Sequence, residues 1–313
     1  MKRCLITGCG GFIGSHLAAY LLERWVAVWG LFHRRPIKGE QYRRLRALQV
    51  DILDADALSQ AVAEADPDTI FHLAAQTLIL PSWQQPEETL RTNVLGTLHV
   101  LQAAIASSTG PAVVLAGSSS EYGPRAGEGT PLKESDELQP VSPYGYSKVA
   151  AELLGWLFWR TQGLRVLCVR PFAVIGSRKV SDVCSDLARS IVAVERGRSE
   201  SLAVGNLEAV RDFVDVGDAV RALALVAEKG AAGEAYNICS GTGHAIYEVL
   251  GRLRAQTQVE IPVERDPAKL RPFDDPVLVG DNTKLRALGW QPTISLDQSL
   301  AEIMAYWRAE ADR

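Results

Sequence analysis

The chain has 313 residues, 47 % of them hydrophobic and 22 % charged, which is enough apolar content for a large core built as two lobes. A net charge of -4 and a pI near 5.8 give no reason to expect nucleic acid or an anionic membrane as a partner. No apolar run reaches the roughly 18 residues of a membrane-spanning helix, and "MKRCLITG" enters a strand directly without a signal-peptide pattern, so the expected location is cytoplasmic.

Taken in chain order, short apolar runs alternate with helical patterns. "RCLIT" reads as a first strand, "FIGSHLAAYLLER" as a helix and "VAVWGLF" as a second strand. "LQVDI" reads as a third strand, "DADALSQAVAEA" as a helix and "TIFHLAA" as a fourth strand. "PEETLRTNVLGTLHVLQAAIAS" predicts one long helix, "AVVLAGS" a fifth strand, "SPYGYSKVAAELLGWLFWRTQ" another helix and "RVLCVRP" a sixth strand. Near-continuously apolar strands separated by helices mean a parallel sheet covered on both faces, hence an α/β, doubly wound, Rossmann-like lobe. The rhythm changes after Pro171. "DVGDAVRALALVAEKG" predicts a helix, "AYNICSG" a strand and turn, "LRPFDDPVLVGD" a loop, and "SLDQSLAEIMAYWRAEAD" a terminal amphipathic helix. The expected division is a dinucleotide-binding unit over 1–170, rejoined by segments near 213–242, and a smaller substrate lobe over 171–313 laid on the strand ends.

Five cysteines without Cys-x-x-Cys spacing read as free thiols in a reducing compartment. Five histidines without ligand spacing predict no metal site, and His72, inside an apolar strand end, reads as a packed residue. In "AELLGWLFWR" apolar side chains surround the helix, more than one sheet face needs; a homodimer through helices near 90–107 and 144–161 accounts for the excess.

"TGCGGFIG" sets Gly8, Gly11 and Gly14 three residues apart between a strand and a helix. Glycines there permit a tight turn, close approach to a pyrophosphate and close helix packing, and the helix N-terminus offers N–H groups to phosphate. The second strand ends in Phe32-His33-Arg34-Arg35 where an NAD enzyme carries a carboxylate. A guanidinium pairs with a 2′-phosphate, so Arg34 or Arg35 points to NADP, with NAD the alternative. Asp51 and Ile52 would lie by the adenine.

Tyr144 and Lys148 are four apart and share one helix face. An ammonium beside a phenol is expected to favour the phenolate and bring its pKa toward neutrality. Such a pair moves a proton at a hydroxyl or carbonyl oxygen while hydride moves at the carbon.

With "TGCGGFIG", "DILD", "FHLAAQ", "TNVLGT", "GSSSEYG", "SPYGYSK" and "RPFAVIG", the chain resembles the extended short-chain dehydrogenase/reductases that act on nucleotide sugars. "VGNLEAVRDFVDV", "YNICSG" and "LRPFDDPVLVGD" are similar to the branch that handles GDP-linked 6-deoxyhexoses, its 4,6-dehydratases and its 4-keto reductases. The resemblance implies that Tyr144 is the proton donor or acceptor, that Lys148 also bonds the nicotinamide ribose, and that Ser118 holds the sugar C4 oxygen. It implies cofactor contacts from Gly8, Gly11, Phe12, Ile13, Gly14, Leu73, Ala74, Ala75, Asn93 and Pro171. It implies substrate contacts from Gln76, Ser82, Ser119, Ser120, Asn206, Arg211, Arg271 and Asp274, the arginines suiting a diphosphate and the carboxylate a ribose. One departure is Phe172-Ala173, where the family usually has Phe-Asn.

Water elimination needs a base for the C5 proton. The family's dehydratases carry Glu three positions before the closing glycine; here that place is Ser120, and Glu121 is one residue late. If the strand runs on, a shift of one turns Glu121 to the opposite face. The expectation is therefore an NADPH-dependent reduction of the C4 ketone of GDP-4-keto-6-deoxy-D-mannose to a GDP-6-deoxyhexose of the GDP-rhamnose type. The alternatives are a GDP-mannose 4,6-dehydratase that recruits Glu121 through a bulge, a 4-epimerase, and a cofactor-binding protein without turnover.

Overall fold

A computed structural model describes residues 1–124, 129–270 and 275–312. The chain runs β1 (Arg3–Thr7), α1 (Phe12–Glu23), β2 (Ala27–Phe32), β3 (Arg46–Gln49), α2 (Ala55–Ala65), β4 (Thr69–His72), α3 (Ile79–Gln84), α4 (Pro86–Leu90), α5 (Gly96–Ala106), β5 (Ala112–Ala116), α6 (Pro143–Gln162) and β6 (Val166–Pro171). It continues through β7 (Ala173–Ile175), α7 (Val183–Glu195), β8 (Leu202–Val204), β9 (Val210–Asp215), α8 (Val216–Lys229), β10 (Ala235–Ile238), β11 (Gly243–Ala245), α9 (Ile246–Arg254), β12 (Val263–Arg265), β13 (Val277–Leu278), α10 (Thr283–Ala287) and α11 (Leu296–Ala311).

Seven strands form one parallel sheet in the order β10-β6-β5-β4-β1-β2-β3. Each central strand feeds two cores by alternation, because successive side chains leave opposite faces. Cys4, Ile6, Phe71, Val114 and Leu167 pack with α1 and α8. Leu5, Ile70, Val113, Leu115 and Val166 pack with α2, α5 and α6. β9 centres a smaller sheet with β7, β11 and β13, and its neighbours α7, α9 and α11 enclose a third core around Leu187, Ile191, Leu253, Ile303 and Met304.

Two expected elements differ. The third strand spans Arg46–Gln49 rather than 48–52, because the Asp51 carboxylate accepts from Leu53 N at 3.0 Å and turns the chain. The long helix expected over 86–107 is interrupted by one π turn, Arg91–Leu95, between α4 and α5. A π turn adds a residue to the helical repeat, which apolar periodicity does not reveal.

Helix α6 lies against β5 and β6 at Gly155, where an added Cβ would stand 2.5 Å from Leu115 Cδ1 and 2.9 Å from Val166 Cγ1. Gly155→Val is expected to push α6 off the sheet and destabilise the fold by about 1–3 kcal/mol. Thermal denaturation checks this; an unchanged midpoint would refute the close packing.

Candidate active site

The sheet order reverses between β1 and β4, and the glycine loop sits at that point, where open α/β sheets bind ligands. Gly8 has φ +68°, and a Cβ there would stand 2.7 Å from Ala74 N, so the loop lies against the backbone of Leu73 and Ala74. A Cβ on Gly14 would stand 2.4 Å from Gly8 O, so glycine closes the first turn of α1 on the loop. No side chain caps α1 at Gly11, which leaves the N–H groups around Phe12 and Ile13 facing outward at the positive end of the helix. This cradle fits a dinucleotide pyrophosphate. The Arg35 carbonyl passes over Gly10, and the exposed Arg34 and Arg35 flank the loop. Asp51 stands 3.7 Å from His33, while Ile52 is buried against Gly96.

A run of buried hydrogen bonds ties β1 and β4 to α6. Thr7 Oγ1 accepts from Leu73 N and Ala74 N, so its proton goes to His72 Nδ1 at 2.8 Å. Thr97 donates to Asn93 O at 2.6 Å, so it accepts from His72 Nε2 at 3.0 Å. Both bonds require the neutral Nε2–H imidazole, and burial holds His72 down at about 3. Asn93, on the π turn, accepts from Gln76 N and donates to Gln76 O and to Ser147 Oγ, which donates to Tyr144 O. The Asn93 amide, expected at the cofactor, is thus committed to protein partners.

Tyr144, Lys148 and Ser118 come together at the end of β5. Ser142 caps α6 by accepting from Gly145 N at 3.0 Å, with Pro143 in the first turn. The Tyr144 phenol is buried; that burial pushes it up to about 12, opposed by its hydrogen bond with Ser118 and assisted by the nearby Glu121. Burial brings Lys148 down to about 8, Glu121 opposing. The expected lowering of the phenol by the ammonium is not what the structure yields. Lys148 Nζ donates to Ala116 O at 2.7 Å and stands 6.0 Å from the Tyr144 ring centre, so burial dominates.

Glu121 is reached by a different route from the one strand alternation implied. β5 ends at Ala116, and Ser119–Glu121 form a short 3-10 turn. Ser118 caps that turn by accepting from Ser120 N, and the Glu121 carboxyl returns to accept from Ser118 N at 2.6 Å. Ser118-x-x-Glu121 is a capping box, a signal present in the sequence that strand alternation obscured. Glu121 is wholly buried and does not face the open side of the site.

The remaining residues divide. Ser119 is buried, and Ser120 has its carbonyl against Gly145 at the head of α6. Ser82 is buried on α3, with its hydroxyl donating to Ile79 O at 2.6 Å. The Gln76 side chain bonds Leu78 O and Thr89 Oγ1. Asn206 is exposed and accepts from Glu208 N; Arg211 donates to Val210 O and Asp275 O. Pro171 ends β6 opposite Ile238, and the departure at Phe172-Ala173 buries Phe172 and begins β7. Arg271 and Asp274 lie outside the described residues. No cluster with metal-ligand character occurs among the described residues, and no helix among them is long and apolar enough to cross a membrane.

A parallel sheet reversing beside a glycine loop, with serine, tyrosine and lysine at the end of its fifth strand, defines an extended short-chain dehydrogenase/reductase. The chain belongs to the GDP-mannose 4,6 dehydratase family, whose profile matches residues 5–303. It is 35 % identical to the GDP-6-deoxy-D-mannose reductase of Pseudomonas aeruginosa, across 98 % of each chain. Among solved structures it resembles RMD from Pseudomonas aeruginosa complexed with NADPH, at TM-score 0.85 and 33 % identity, covering 99 % of this chain and 100 % of that one. It also resembles the Thermotoga maritima UDP-glucose 4-epimerase with UDP-glucose, at TM-score 0.89 and 29 % identity, over 99 % and 100 % of the chains.

Neutral His72 carries a pH signature. Its folded value near 3 lies below the ordinary 6.5, so its contribution to stability is present above 6.5 and is lost as pH falls toward 3. The half-buried His16, down at about 4, acts in the same direction. The unfolding midpoint is expected to drop across that window, and His72→Gln is expected to flatten part of the drop. A pH-independent wild-type midpoint from 6.5 to 4 would contradict the neutral assignment.

Proposed function

We propose that the chain reduces the C4 ketone of GDP-4-keto-6-deoxy-D-mannose to a GDP-6-deoxyhexose with NADPH. The carrying observation is that the site has a proton donor for the ketone oxygen, whereas the carboxyl of its "GSSSEYG" segment is buried and turned to the backbone. With its pKa near 12, Tyr144 stays protonated at neutral pH, the form a reductase needs when O4 takes its proton. Ser118 bonds the same phenol and stands where it would share the C4 oxygen. Bound NADPH would supply the hydride to C4; the glycine loop would hold its pyrophosphate, and Arg34 or Arg35 its 2′-phosphate. The likeness to a GDP-6-deoxy-D-mannose reductase and to a structure complexed with NADPH supports both choices. Five free buried thiols support a cytoplasmic enzyme.

Purified protein given the 4-keto sugar is expected to oxidise NADPH as the ketone disappears. Tyr144→Phe is expected to lower kcat by roughly 10²–10⁴-fold. Accumulation of the ketone from GDP-mannose without added reductant would replace this reading with the dehydratase.

The enzyme is also proposed to be a homodimer through α5 and α6. Leu153, Trp156, Leu157 and Tyr146 of α6 are exposed, as is Leu95 beside α5, while Phe158 faces the core. Sedimentation analysis is expected to show a dimer and Trp156→Asp a monomer; a monomeric parent protein would sink the assignment.

A further inference from the structure

Behind Ser118, Tyr144 and Lys148 lies a second group of charges. Arg170 on β6 donates from Nε and Nη2 to the two carboxylate oxygens of Glu152 on α6, at 3.0 and 2.6 Å. Its Nη1 donates to the Tyr122 hydroxyl at 2.9 Å and to Glu134 O at 3.1 Å, and Tyr122 donates to Asn237 Oδ1 at 2.6 Å. One guanidinium and one carboxylate thus match each other in a bidentate pair.

Glu121 brings a second carboxyl into the same space. Its Oε1 accepts from Ser118 N. Gly117 makes room for that return, since a Cβ there would stand 2.3 Å from Oε1. The Oε2 atom is 3.5 Å from Arg170 Nε, whose hydrogen Glu152 already accepts, and it has no donor of its own. Glu121 and Glu152 thus meet at the same Arg170 Nε and interact with each other, and a proton shared between two such acceptors makes a hydrogen bond. Glu152 keeps 14 % of its side chain exposed and borders a cavity of about 80 Å³ beside Trp156, Cys168 and Ala235; Glu121 keeps none. An unpaired charge is strongly disfavoured in the interior, so the proton belongs on the buried member of the pair. The other titratable groups acting on this space are Lys148 and Tyr144 of α6 and Cys168 of β6. Burial and Glu152 drive the Glu121 carboxyl well above the usual range, with Arg170 and the Ser118 N–H opposing.

We propose that Glu121 is a positioning residue held as a neutral carboxylic acid: its carbonyl oxygen fixes the Ser118 N–H, its O–H rests on the Glu152 carboxylate, and Ser118 is thereby kept on Tyr144. The inference rests on the reductase reading, in which Ser118 and Tyr144 handle the ketone oxygen. Glutamine has the same shape and the same two hydrogen-bonding roles, whereas alanine has neither.

Two measurements test it on the full-length protein. Glu121→Ala is expected to lower kcat about tenfold or more with the KM for NADPH within about twofold, and Glu121→Gln to recover kcat to within about threefold of the parent. Difference infrared spectra at neutral pH are expected to show a protonated-carboxyl C=O band that Glu121→Gln removes. A folded Glu121→Gln variant as slow as Glu121→Ala, or a parent spectrum without that band, overturns the proposal. If the parent protein never consumes the ketone, the reductase reading fails, and the infrared band alone then decides the state of Glu121.

Discussion

The buried chain of hydrogen bonds from Thr7 through His72, Thr97, Asn93 and Ser147 to the Tyr144 backbone is the constraint on which the site depends. It starts on the strand that leads into the glycine loop and ends on the helix that carries the phenol. Each hydroxyl has one proton, and each is spent in one direction. Buried polar groups tolerate no missing partner, so the cradle for the cofactor and the proton donor are held in one register. The π turn makes this possible by carrying Asn93 into the interior between the Gln76 backbone and Ser147.

Burial also sets the chemistry of the site. Withdrawing Tyr144 and Lys148 from water moves one group up and the other down, so the neutral forms gain on both sides. A carboxylate set behind them favours the neutral phenol further but restores the charge on Lys148. The structure resolves the conflict by giving Arg170 to Glu152 and leaving Glu121 with the backbone of Ser118.

The fold was legible from local patterns because most determinants of a parallel sheet are local: apolar strands, amphipathic helices, and the caps Asp54, Ser142, Asp215 and Ser295, each of which the structure shows accepting an N–H. The glycine loop and the Tyr144–Lys148 pair were legible for the same reason, since three- and four-residue spacings fix them on a turn and on one helix face. What escaped was set by distant partners. The His72 bonds join residues 65 and 25 positions away, and Arg170 meets Glu152 from 18 positions away. The Ser82 hydroxyl donates to a carbonyl three residues back, a local contact that the letters alone do not display. Glu121 lay between the two cases: its partner is three residues back, but the same letters fit a strand end and a capping box.

All five cysteines are free and buried, and each thiol is held above its ordinary value by that burial. The thiolate is the form that attacks alkylating reagents, so the folded protein is expected to react with them slowly. A cysteine introduced on an outer helix face would then take a spectroscopic label alone, without removing any native residue. The native thiols, silent until the sheet opens, would report each unfolding event by their alkylation.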